Sequence, residues 1–213
     1  MRIPILPMTS DEDNEVLVGK VVFDVLTPKI RGATSKMVAV RTKDDVTSED
    51  RGTVLVMDVK GLQRGNLNDV VLKRLRIRGM NTWFLTNIES VDDVFDAFNT
   101  DAECVLVPIH TVRSEDELSD ILGVSDSVIP VLFVRKGSVR YIGTNIPYHR
   151  AAENVSMIGF PTIAVIDTDG SLSEYDWTSL MDLGTIIPCS FTGYVSTDRL
   201  EELGFEKVFT VPE

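Results

Sequence analysis

Val54-Leu-Val-Met-Asp58-Val-Lys-Gly61 returns as Ile163-Ala-Val-Ile-Asp167-Thr-Asp-Gly170, with both the aspartate and the glycine displaced by 109 positions. Each copy is a short apolar run ending in Asp, followed three residues later by Gly. Runs of this length, rich in branched side chains and bounded by turn residues, read as strands buried on both faces, as in a parallel sheet. The echo continues downstream. Thr86-Asn-Ile-Glu-Ser90-Val-Asp92 matches Thr192-Gly-Tyr-Val-Ser196-Thr-Asp198, and Val107-Pro108 matches Val211-Pro212. The offset shrinks slowly along the chain, as loop deletions after an old duplication would leave it.

Outward from these stretches the chain alternates. Strands are expected at 21–26, 54–59, 82–86, 104–109, 129–134, 162–167, 186–191 and 207–211, with a further one at 37–41. Helices are expected at 67–78, 91–99, 114–122, 149–158, 175–183 and 197–203. Ser90, Ser114 and Ser196 sit at helix starts with acid in the first turn, and Gly79 and Gly204 follow helix ends. Strand–helix alternation of this regularity predicts βαβ units and a parallel sheet. Four units per copy predict an α/β fold of the (β/α)8 TIM-barrel type with half-barrel internal duplication, shortened at its N- and C-terminal helices. An open sheet of the same strand order is the alternative. One domain spans 1–213, with an irregular part at 1–52 and half-barrel repeats around 53–110 and 162–212.

Composition narrows the functions. Of 213 residues, 43% are hydrophobic and 25% charged, the mix of a folded globular chain. The net charge of −12 argues against DNA or RNA as partner, which would need a basic face. No segment reads as a signal peptide or a membrane span, so a cytoplasmic protein is expected. Cys104 and Cys189 lie in separate apolar runs and read as buried thiols. No His or Cys cluster has metal-ligand spacing, no dinucleotide or Walker-type loop occurs, and no cofactor is expected. Trp83 and Trp177 read as packing residues. His110 follows a strand and could reach the barrel mouth, or sit in a surface turn; His149 falls at an exposed helix start.

The stretch Ala164–Asp176 resembles the D-x-x-R-D-G-T segment, with its following G-Y-D or G-P-N, of the histidine-biosynthesis barrels. Those are the phosphoribosylformimino-aminoimidazole carboxamide ribotide isomerase, the cyclase subunit of imidazole glycerol phosphate synthase, and archaeal proteins related to both. Thr86–Val107 and Thr192–Val211 resemble that family's glycine-pair loop, helix and strand. The resemblance implies a duplicated barrel with one phosphate site per half. It implies Asn87, Gly170, Ser171, Thr192 and Gly193 as residues around a phosphorylated small molecule, with Asp24 and Asp167 as acid–base groups. This chain departs from the pattern. Three of the four loop glycines are replaced, and the fifth strand, ending Arg135-Lys136-Gly137, has no carboxylate; Arg135 or Lys136 there could meet an anion. Two functions are therefore expected: an isomerase-like enzyme on a phosphorylated ribotide, or a catalytically inactive barrel acting as a binding or assembly protein. A homodimer is expected at the seam of a trimmed barrel.

Overall fold

The computed structural model describes residues 1–10, 16–24, 27–34, 52–66, 68 and 81–211. The strand expected at 37–41, most of the helix expected at 67–78, and the Pro212 end of the repeat lie outside the described residues.

Strands β1 (Arg2–Ser10), β2 (Val16–Asp24), β3 (Thr27–Thr34), β4 (Thr53–Asp58), β5 (Asn81–Leu85), β6 (Cys104–Pro108) and β7 (Val128–Arg135) are followed by β8 (Ser138–Tyr141), β9 (Thr144–Pro147), β10 (Thr162–Asp167), β11 (Thr185–Ser190) and β12 (Val208–Thr210). Among the described residues six α-helices are interspersed: α1 (Val59–Arg64), α2 (Val91–Phe98), α3 (Glu115–Leu122), α4 (Tyr148–Ile158), α5 (Glu174–Leu180) and α6 (Thr197–Glu202). Parallel pairing runs β1-β4-β5-β6-β7-β10-β11. β12 pairs in parallel with β1 and lies beside β11, so the sheet curls round on itself into a TIM-barrel-like arrangement.

Alternation along each strand divides the apolar residues into two cores. Ile3, Ile5, Leu55, Met57, Leu85, Leu106, Val131, Phe133, Ile166, Ile187 and Phe209 fill the space enclosed by the sheet. Val54, Val56, Phe84, Val105, Val107, Leu132, Val165 and Val208 face outward onto the apolar sides of the helices, among them Val94, Leu118, Val155, Trp177 and Leu200. Cys104 and Cys189 are free thiols within the inner core. Trp83 packs edge-on against Phe209, and Trp177 against Phe205.

The structure corrects the order of strands near the N-terminus. The first strand of the curled sheet is β1, where no strand was expected. Pro4 and Pro7 bring no N–H to the ladder, which disguises the segment. Burying Ile3 and Ile5, worth about 1.5–3 kcal/mol each, outweighs two missing net hydrogen bonds of about 1 kcal/mol each. The stretch expected as the first parallel strand is instead β2, antiparallel to β1 and to β3. A second hairpin, β8–β9, extends β7. Its two-residue turns, Lys136-Gly137 and Ile142-Gly143, hold all four residues at positive φ, the form that matches strand twist.

Candidate functional site at the C-terminal mouth of the sheet

In a parallel barrel, ligands are met by residues just beyond the C-terminal strand ends. The two echoed aspartates stand there, and both are buried. Asp58 Oδ1 accepts from Gly61 N–H at 3.0 Å, while Oδ2 accepts from Asn68 N–H at 3.1 Å and Thr86 Oγ1–H at 2.9 Å. Asp167 Oδ1 accepts from Gly170 N–H and Ser171 N–H, each at 3.1 Å, and Oδ2 from Leu172 N–H at 3.0 Å. Burial pushes both carboxyls up from the ordinary range, and the loop donors pull them back.

The repeated D-x-x-G is thus a loop lock. A side chain at Gly61 would put its Cβ 2.2 Å from Asp58 Oδ2. One at Gly170 would meet Thr192 Oγ1 at 2.6 Å, on a backbone already at φ +73°. Only glycine lets each loop close on its aspartate. Asp167, expected as an acid–base group, has its carboxylate oxygens engaged by the loop that follows.

The expected phosphate residues are distributed unevenly. Gly170 lies against Thr192, so the loops after β10 and β11 meet and bring Gly170, Ser171, Thr192 and Gly193 together. Asn87, after β5, stands across three strand positions from them. The N–H groups of Gly170 and Ser171 are turned inward onto Asp167. Gly193 is exposed and its N–H donates to Ser190 O at 3.1 Å; Thr192 is exposed beside it. Around Asn87 the chain's own acids hold the groups an anion would use. Asp93 Oδ2 accepts from Glu89 N–H and Ser90 N–H at 2.9 and 3.0 Å, and Glu117 Oε1 accepts from Val91 N–H at 2.9 Å. The Asn87 side-chain amide donates to Glu89 Oε1 at 3.3 Å. A phosphate here would face carboxylates already in place.

Asp24 ends β2, which runs opposite to the parallel strands, so the expected place at the end of the first parallel strand is corrected. Its neighbour Phe23 occupies the mouth. The Phe23 ring lies 4.8 Å, edge-on, from that of Phe191 and 5.5 Å from that of Phe133, centroid to centroid. Val21 of the same strand, and Val59 and Leu62 of α1, join the inner core. The hairpin is tied to α1 by Gln63 Nε2–H donating to Pro28 O at 2.8 Å.

One side of the mouth is polar, and the sequence marked only part of it. Phe133 faces inward, so Arg135, two residues on, continues that face. Ser138 stands opposite Arg135 across the hairpin, and Arg140 follows Ser138 on the same side. His110, beyond β6, sets its ring 5.5 Å from Phe133. Burial, aided by the Arg140 charge, lowers His110 to about 4, so its imidazole is neutral at pH 7. Arg140 was missed because the β8–β9 hairpin was missed. Its signal was the pair of Gly turns at Gly137 and Gly143. Among the described residues, no group of three His, Cys, Asp or Glu side chains is placed to hold a metal ion. Among them, too, no helix is long and apolar enough to cross a membrane.

No protein-family model matches the chain, and no curated protein matches it. Among solved structures, the HMG-CoA lyase from Brucella melitensis is similar, with a TM-score of 0.53 and 14% sequence identity. The likeness covers 75% of this chain and 67% of that one. At such identity it concerns the fold alone, and the fold it supports is TIM-barrel-like.

Proposed function

We propose that this chain is a duplicated (β/α)8-type barrel, divergent from the histidine-pathway ribotide isomerases, that acts by binding and no longer performs ring-opening isomerisation. The observation that carries this reading is Phe23, seated in the mouth between Phe133 and Phe191 where a reacting sugar would stand. The engagement of Asp167 by its own loop supports it, since a general base needs a free lone pair toward the substrate. The matching locks at Asp58–Gly61 and Asp167–Gly170 support the half-barrel duplication, because the same contact recurs at the same place in each copy.

The test is direct. Wild-type protein incubated with the ribotide substrate of those isomerases, and followed by chromatography, is expected to give no product. Product that forms with the wild type and disappears in Asp24→Asn or Asp167→Asn would restore the isomerase reading.

A further inference from the structure

We propose that Arg135 and Arg140 form a binding site for a phosphate monoester with a flat apolar body, the phosphate between the two guanidinium groups and the body against the half-buried ring of His110. This rests on the reading of the mouth as a binding site, and it names the ligand class.

Three observations carry it. First, the pairing puts both arginines on one face. Arg135 stands opposite Ser138, so Arg140 is its diagonal neighbour across the hairpin. Such diagonal positions are about 7–8 Å apart, a gap two long side chains close around one tetrahedral anion. Second, neither arginine has an ion-pair partner among the described residues, although the chain carries 33 acidic residues. The nearby Asp169 carboxylate is directed elsewhere, accepting from Lys136 N–H at 3.0 Å. Arg2, Arg113, Arg150 and Arg199 are paired with carboxylates, and Arg64 at the end of α1 is another described arginine outside such a pair. Third, the face continues onto the half-buried rings of His110 and Phe23, each 5.5 Å from the buried Phe133.

Charge selects the anion. A phosphate monoester carries close to two negative charges at neutral pH, since its second ionisation lies near pH 6. Two fixed guanidinium charges match it, whereas a carboxylate satisfies only one. A neutral His110 adds a hydrogen-bonding edge without a third charge. The site adjoins the loop after β10, where Asp169 and Ser171 accept from Lys136 N–H and Gly137 N–H. It uses the arginine side chains and not that loop's amides, two of which are turned onto Asp167.

Phenyl phosphate is the probe, titrated calorimetrically into the full chain at pH 7.5 and low salt. Saturable binding is expected, weakened at least tenfold in Arg135→Gln and in Arg140→Gln. Lys207→Gln, whose ammonium lies over Trp83 at the opposite end of the sheet, is expected to bind as the wild type does. Benzoate and inorganic phosphate are expected to bind more weakly than phenyl phosphate. The chain has two histidines, so the His110 ring signals, identified with His149→Gln, are expected to shift on titration. No saturable binding at millimolar phenyl phosphate overturns the proposal, as does equal affinity in both arginine variants. Ribotide turnover by the wild type would refute the non-catalytic reading alone, whichever way these titrations fall.

Discussion

Replacing Asp167 separates a structural carboxylate from a catalytic one. In Asp167→Ala, five donor contacts lose their acceptor: the N–H groups of Asp169, Gly170, Ser171 and Leu172, and the Ser171 hydroxyl. Their costs differ. Leu172 is 1% exposed, so its N–H cannot be rehydrated and loses about 1–3 kcal/mol. Ser171 is exposed and Gly170 half-exposed, so water recovers much of what they lose. The total is about 3 kcal/mol, equivalent to a fall in Tm of about 6–12 °C for a chain of this size. Asp167→Asn keeps one oxygen for Gly170 and Ser171 and removes the penalty of a buried charge, but sets an NH2 group against a donor. It is expected to cost about 1–2 kcal/mol. Urea unfolding gives both values from the midpoint at constant slope. A loss below about 0.5 kcal/mol for the alanine variant, the scale of an ordinary surface change, would refute the loop-lock reasoning.

Three further outcomes are expected. Phe23→Ala should cost about 2–3 kcal/mol, less than the loss of a fully buried Phe, and should raise the fluorescence of an apolar dye; an unchanged dye signal would contradict the filled mouth. His110 is held below its unfolded value, so protons bind the unfolded state first, and its contribution to stability is complete above about pH 6.5 and falls toward pH 4. His110→Gln should flatten the stability profile in that window, and an unaltered slope would place the imidazole in solvent. Burial raises the Cys104 thiol to about 12 and the Cys189 thiol further, so neither should react with a thiol reagent in the native state, while both react in denaturant. Rapid native labelling of either would show that the inner core opens.

The regular part of the fold was legible because its signals are local. Strands β4 to β7 and β10 to β12 lie where branched apolar runs were found, and α2, α3 and α6 begin at Ser90, Ser114 and Ser196. Segment 2–10 was illegible because Pro4 and Pro7 speak locally against a strand, and only burial against β4 and β12 overrides them. That omission moved Asp24 into a position it does not hold. The β8–β9 hairpin was hidden because its strands are four residues each, too short for alternation to register. At the site, D-x-x-G announced two equivalent loops but not their purpose. An aspartate that serves a substrate and one that serves its own backbone have the same spelling. What distinguishes them is the number of N–H groups within reach, which depends on how the loop folds.

The pairing of β1 with β12 has a kinetic side. The amino group of Met1 donates to Glu206 O, a partner 205 positions away, and Arg2 pairs with Asp198 and Glu201. The seam itself is only three residues wide, Arg2 to Pro4 against Val208 to Thr210. During synthesis β1 must wait for β12, which is made much later, with one hydrogen-bonding edge open in the interval. Contacts so far apart in sequence form late and slowly. The β1–β12 pairing should therefore form as a final step and reopen first on mild heating. Hydrogen exchange should report this as faster loss of protection at residues 208–210 than at the centre of β6 or β10.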